Sequence, residues 1–424
     1  MRISVLLILT CSTLFSTNAS ALILDEAIQA ALQNHQRIEQ SRAGLEEATA
    51  AVNSAKSGFL PRLDLSYNYI NRDKDPFLLG NESSTLAITG SLNLFQGLST
   101  KYNYQASQHR ARAAEHQLQG TIADIILVTK EAYIEVLHAE RSIETAEEGV
   151  QLLNRQQHDA ELQFKYGLIA RNDLLRVAVE LSSARQQLLS AQGQLQINRR
   201  QLERVIGSPL GEEQLVEDGL QRLKVESSNK ATDYRQELFE KRSELNYLRE
   251  QLLASKQDRS AIKGGYLPSI DLSLAHEEYG DSLVPGNLPN AVDNDDKLML
   301  SARWILFDGF ARRSSVARAG ARTRAITADL HNTEAELLLQ LETILQTSEI
   351  TQGRLQEAKT GVIQALENYR VTENRFQQQQ ATTVDLLDAQ FLLTRARNLE
   401  IGARYDLYLT TARLARILER QSSD

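Results

Sequence analysis

Asp385 and Asp388 stand three residues apart, just after Thr382 and Thr383. On a helix that spacing puts both carboxylates on one face. Two readings are open. Acids are favoured in the first turn of a helix and threonine is a good N-cap, so the group could simply start a helix. On spacing alone the alternative, a functional pair of carboxylates, stays open. Asp173 has matching surroundings, because Phe164 and Asp173-Leu174-Leu175 return as Phe376 and Asp385-Leu386-Leu387. Other chemistry is sparse. His109 and His116 share a helix face but lack a cysteine or a close carboxylate pair, so no metal site is expected. Neither a phosphate-cradling glycine loop nor a nucleophile elbow occurs. Asp293-Asn294-Asp295-Asp296 lacks the calcium-loop pattern and reads as a solvated loop. The chain does not read as an enzyme, and no cofactor is expected.

The elements that must position these residues occur twice. Gly58-Phe59-Leu60-Pro61 returns as Gly265-Tyr266-Leu267-Pro268, a displacement of 207 residues (265 − 58). Leu94-Phe95-Gln96-Gly97 returns as Leu306-Phe307-Asp308-Gly309, a displacement of 212 (309 − 97). Such repetition means one structural unit used twice. The reading is repeat one over 22–206, a linker over 207–241 and repeat two over 242–424. Each repeat runs helix, two strands, long helix, tight turn, helix.

The first helix is expected from Asp25 to Ser57, with Ile28, Ala31, Leu32, Ile38 and Leu45 on one face. The period then becomes two. Leu63, Leu65, Tyr67 and Tyr69 alternate with polar residues, as do Leu86, Ile88, Gly90, Leu92 and Leu94. Repeat two places Ile270, Leu272 and Leu274 on one face, then Leu298, Leu300, Ala302, Trp304 and Leu306. Strands of about ten residues with one apolar and one polar face fit an outer-membrane barrel. Trp304, Tyr67 and Tyr69 could mark the lipid boundary or be ordinary strand aromatics. Residues 98–164 and 310–376 hold no proline, and each would form a helix roughly 100 Å long. Their apolar stripes call for partner helices.

Residues 1–21 read as a secretory signal: Arg2, an apolar core from Val5 to Phe15, then Ala19-Ser20-Ala21. Cys11, the only cysteine, lies inside it, so an exported mature chain would hold no disulfide. Without Arg2 the charge is 46 − 55 = −9, which gives no reason to expect nucleic acid. No later apolar run approaches the length of a transmembrane helix, so any crossing must use strands. Four strands cannot close a barrel, and open edges cannot face lipid. Three chains would supply twelve strands, an even number within the known range. The fold expected is a mixed α and β membrane protein: a trimeric 12-stranded barrel, four strands per chain, continuous with a long α-helical tunnel.

The order of elements, the Gly-Phe/Tyr-Leu-Pro lead-in, the Leu-Phe-x-Gly exit and the paired hairpins resemble the TolC family of outer membrane channels. The resemblance implies an outer membrane protein of a Gram-negative bacterium with a large periplasmic part. It implies a homotrimer that works with a periplasmic adaptor and an inner-membrane transporter, ABC or proton-driven, in type I secretion or drug efflux. It also implies that Val384-Asp385-Leu386-Leu387-Asp388-Ala389 supplies aspartate rings at the periplasmic entrance. Six carboxylates near one axis would attract cations and hinder anions. Gly167 and Leu168 fall in the segment resembling the tip loop where adaptors dock; Asp173, Gln379, Thr382 and Thr383 complete the tips. The family often places an arginine in the second tip loop to pair with the aspartate at the position of Asp173 and hold the gate closed. Here that loop is Gln377 to Ala381 and has none, leaving glutamine hydrogen bonds, Arg171, Arg176 or Arg375 as substitutes. The competing reading is a structural coiled-coil protein of the periplasm or surface, without channel activity.

Overall fold

Helix gives way to strand where the apolar period changes. The computed structural model describes residues 22–73, 81–210, 231–286 and 292–420. The signal segment, and parts of the linker and of both strand-connecting loops, lie outside these. The order is α1 (Leu24–Asn34), α2 (Gln36–Lys56), β1 (Arg62–Asn71), β2 (Glu82–Gln96), α3 (Ser99–Lys165), α4 (Arg171–Ile206), α5 (Ala231–Lys241), α6 (Ser243–Gly264), β3 (Ser269–Gly280), β4 (Asn294–Arg303), α7 (Ala311–Gln377) and α8 (Thr383–Ile417). No described helix is long and apolar enough to cross a membrane.

Two compact units form, each drawing on both repeats. Of the described residues, one takes 22–35, 125–210 and 344–414; the other takes 36–73, 81–124, 231–286, 292–343 and 415–420. In the first, α1, α3, α4 and α8 bury Ile28, Tyr133, Val136, Leu202 and Tyr405 in one cluster. The stripe Ile125, Thr129, Tyr133, Val136 is fully enclosed, as its helical spacing requires. In the second, all four strands pair antiparallel in the order β1-β2-β3-β4. Pairing of β2 with β3 joins the two repeats in one sheet. Leu63, Leu65, Leu274, Leu298 and Leu300 are exposed on it, while Asn93 donates to Asp271 at 2.6 Å on the opposite face.

Two expectations fail. The first helix is broken, because His35 leaves the helical region (φ −74°, ψ 122°). The break lets the Asn34 side chain reach the Ile206 carbonyl at 3.3 Å, capping the end of α4. A β-carbon on Gly207 (φ +71°) would lie 2.7 Å from that of Asn34, so the close approach needs glycine. The second failure is β4, which stops at Arg303 and leaves Trp304 and Leu306 outside the strand. Its counterpart β2 runs to Gln96 because β3 pairs with its last residues; among the described residues β4 has no neighbour there.

Candidate functional site: the two helical tips

Both long helices end in the same turn. At the first tip Gly167 takes φ +73°. Its N–H donates to Phe164 O at 2.9 Å, and that of Leu168 to Gln163 O at 2.8 Å. At the second tip Gln379 takes φ +59°, with Gln379 N to Phe376 O at 2.9 Å and Gln380 N to Arg375 O at 2.7 Å. Both are Schellman closures, which satisfy the last carbonyls of a helix and ask for glycine at the left-handed position. Repeat two fills that position with glutamine, 212 residues after Gly167 (379 − 167). Leu168 and Tyr166 are exposed beside Gly167.

The returning helices start differently. Thr382 caps α8, with N–H and hydroxyl both donating to Asp385 Oδ2, at 2.8 and 2.7 Å. The Asp385 N–H donates back to Thr382 Oγ1 at 3.2 Å. This reciprocal box satisfies free donors of the first turn. Those bonds from Thr382, with Arg375 nearby, hold the Asp385 carboxyl below the usual carboxylate range. The capping reading of Asp385 is therefore met. At the first tip the N-cap is Ala170, which offers no side-chain acceptor. Half-buried Asp173 sits where Asp385 sits in repeat two, without that partner.

Asp385 and Asp388 share the exposed side of α8, while Leu386, Ala389 and Leu393 are buried on the other side against Tyr369, Leu152 and Phe376. Packing thus fixes which way the two carboxylates face. The buried side closes one wall of a cavity of about 490 Å³, also lined by Gln156, Val177, Gln379 and Thr383. The Tyr369 hydroxyl donates to Glu373 at 3.1 Å. Burial, then the neighbouring Glu373, push this phenol up to about 12. Gln379 and Thr383 reach the cavity; Gly167, Leu168, Asp173 and Asp388 do not line it.

Of the three arginines named as substitutes, Arg375 is engaged: it donates to Gln380 O at 3.2 Å and braces its own tip loop. Sequence reasoning missed the cavity and this brace, since both depend on how separate helices or turns meet. Gln379 carried a readable signal, namely its registration with Gly167.

The profile of the outer membrane efflux protein family matches residues 27–208 and 234–419, one repeat after the other. The chain belongs to the outer membrane efflux protein family. It is 25% identical over 404 residues to outer membrane protein TolC of Vibrio cholerae, covering 92% of this chain and 89% of that one. It is 24% identical over 415 residues to alkaline protease secretion protein AprF of Pseudomonas aeruginosa, covering 93% and 82%. Among solved structures, CusC superposes with a TM-score of 0.84 at 16% identity over 93% of this chain and 91% of that chain. Outer membrane protein VceC of Vibrio cholerae gives 0.80 at 18% identity over 93% and 95%. At these identities the structural likeness shows the fold. As an outer membrane efflux protein, the chain belongs with channels of transport rather than with enzymes, and its helices form a large periplasmic part.

Proposed function

We propose that three copies of this chain form a passive exit channel through the outer membrane, gated at the helix tips. The channel serves a tripartite export system, with a periplasmic adaptor docked at Gly167 and Leu168 and an inner-membrane transporter supplying the energy. The repeats 22–206 and 242–424 are the building units, and 207–241 links them.

The observation that carries the reading is the oblique apolar belt of the sheet. Leu63, Gly90, Leu274 and Leu298 pair in one row across the four strands. From that row the apolar side chains run towards Tyr69 on β1 but the opposite way, towards Ala302, on β4. A belt oblique to the strands is what a flat lipid slab imposes on strands tilted in a barrel. A periplasmic coiled-coil protein has no use for it. Both outer edges, β1 and β4, lack a partner among the described residues, so closure calls for further copies.

At the tips, three copies of Asp385 and Asp388 place six acidic groups around the axis. Asp385 then serves twice, as helix cap and as part of a cation-attracting ring. The relatives favour no single cargo, since AprF is named for protease secretion and the matched family for efflux. The test is single-channel recording with a trivalent cation on the tip side. Block of the wild type, relieved at least tenfold in Asp385→Asn/Asp388→Asn, is expected. Equal block of both would remove the ring from the account.

A further inference from the structure

The hairpin between β3 and β4 is the longer of the two. Asn71 and Glu82, the last pair of β1 and β2, enclose 10 residues (82 − 71 − 1). Glu278 and Asn294, the last pair of β3 and β4, enclose 15 (294 − 278 − 1). Both hairpins turn at the end of the sheet away from the helices, since α2 leads into β1 and β2 leads into α3.

The first part of the longer hairpin, Asp281 to Gly286, folds back over the apolar face of the sheet. Tyr69, Ser84 and Gly280 form one row across three strands, on the same face as Leu63, Leu65 and Tyr67. The Tyr67 hydroxyl donates to Leu283 O, so the hairpin reaches across β2 to β1. Ser84, on the strand between, is buried. A β-carbon on Gly280 would lie 2.7 Å from Val284 O and 3.0 Å from the Cα of Pro285, so glycine is what lets the segment lie close on that face. Leu283 and Val284 stand at its apex, 63% and 70% exposed.

We infer that Leu283 and Val284 enter the outer lipid leaflet at its boundary with water and anchor the channel there. The inference rests on the channel reading, which puts the apolar belt in lipid and the hairpins on the outer side, and it adds a lipid contact made by a loop.

Three features fit lipid as the occupant. First, the patch continues the belt. Tyr67, which holds the segment, is itself a belt residue, and tyrosine favours the lipid boundary. Second, the backbone is largely satisfied from within, as lipid demands. Leu283 O accepts from Tyr67, Val284 O accepts from Ser282 Oγ at 3.2 Å, the Gly286 N–H donates to Tyr279 O at 2.9 Å, and Pro285 has no N–H. Third, the depth is bounded. Asp281 is exposed two residues before Leu283, and a carboxylate near the bilayer centre is costly. The apex therefore sits roughly 5–10 Å into the headgroup and acyl boundary, as apolar faces of interfacial segments do.

The single tryptophan makes the test direct. In a Trp304→Phe background, Leu283→Trp and Val284→Trp each leave one indole at the apex, and Leu300→Trp leaves one on the belt. The full mature protein is reconstituted into phosphatidylcholine vesicles with bromine either near the carbonyl end or near the terminal methyl of the acyl chains. Iodide is added on both sides. Both apex variants should lose about twofold in emission to bromine near the carbonyl end, and little to methyl-end bromine or to iodide. Leu300→Trp should be quenched by lipid bromine and shielded from iodide. Adding Tyr67→Phe should free the segment and exchange bromine quenching for iodide quenching at Leu283→Trp; bromine quenching unchanged by it would overturn the part given to the hydroxyl. Lipid quenching at Leu300→Trp with iodide quenching alone at both apex variants overturns the anchor and leaves the channel reading standing. Apex variants shielded from bromine and iodide alike would show protein over the patch and also overturn the anchor. No lipid quenching at Leu300→Trp overturns the channel reading itself.

Discussion

Thr382→Ala should loosen the second helical tip and leave the first unchanged. Of the three hydrogen bonds in the box at the start of α8, two use Thr382 Oγ1, at 2.7 and 3.2 Å. The third, from the backbone N–H at 2.8 Å, survives the substitution. Replacing a threonine N-cap by alanine costs about 1 kcal/mol in comparable settings. That corresponds to roughly a fivefold increase in local opening. Ala170→Thr is the mirror experiment, because it supplies the missing cap above Asp173 and should slow opening of the first tip by a similar factor. Hydrogen exchange at residues 171–174 and 383–386 reads both tips separately, where global unfolding of so large an assembly would not. Equal change at both tips in either variant, or no change at 383–386 in Thr382→Ala, would refute the claim that the tips are capped asymmetrically.

Gln379→Gly should tighten the second tip. A left-handed residue other than glycine costs about 1–2 kcal/mol, of which glycine's extra unfolded-state freedom returns about 0.4–1; Gly167→Ala should do the reverse at the first tip, and hydrogen exchange checks both. Asp385 should make the second tip acid-sensitive. Its carboxyl is depressed by the bonds from Thr382, so its contribution is present above the ordinary carboxylate range and lost as pH falls through the folded value. A spin label at Gln378→Cys should gain mobility in that window in wild type but not in Asp385→Asn. Arg416→Met should lower the heat resistance of the assembly. Arg416 is buried and contacts Asp124 and Glu244 at 2.8 Å and Glu419 at 3.3 Å. Breaking a buried cluster costs several kcal/mol, reduced here to about 2–3 because Asp124 and Glu244 are partly solvated; thermal denaturation measures the loss.

Local pattern carried most of the fold in the sequence. Residues 98–164 and 310–376 hold no proline and keep an apolar stripe, and the helices run from Ser99 to Lys165 and from Ala311 to Gln377. Alternation placed β1 to β3 because each lies with one face apolar. It misplaced the end of β4, since the pattern continues through Leu306 while no described strand of the chain pairs beyond Arg303. The break at His35 was hidden for a related reason, because it serves a contact with Ile206 far along the sequence. At the tips the Thr-x-x-Asp spacing announced the cap on Asp385. The cavity behind Leu386 was illegible, because it is formed by side chains from α3, α4, α7 and α8. Composition separates none of these cases; range of interaction does.

The central claim is that this chain forms a pore through the outer membrane, and the most direct measurement is single-channel conductance of purified particles of verified mass under a salt gradient. The account predicts discrete steps with a cation-selective reversal potential, larger in Asp385→Asn/Asp388→Asn if the ring narrows the entrance. Folded, membrane-inserted three-copy particles that pass no current in either form, or that select anions, would contradict it.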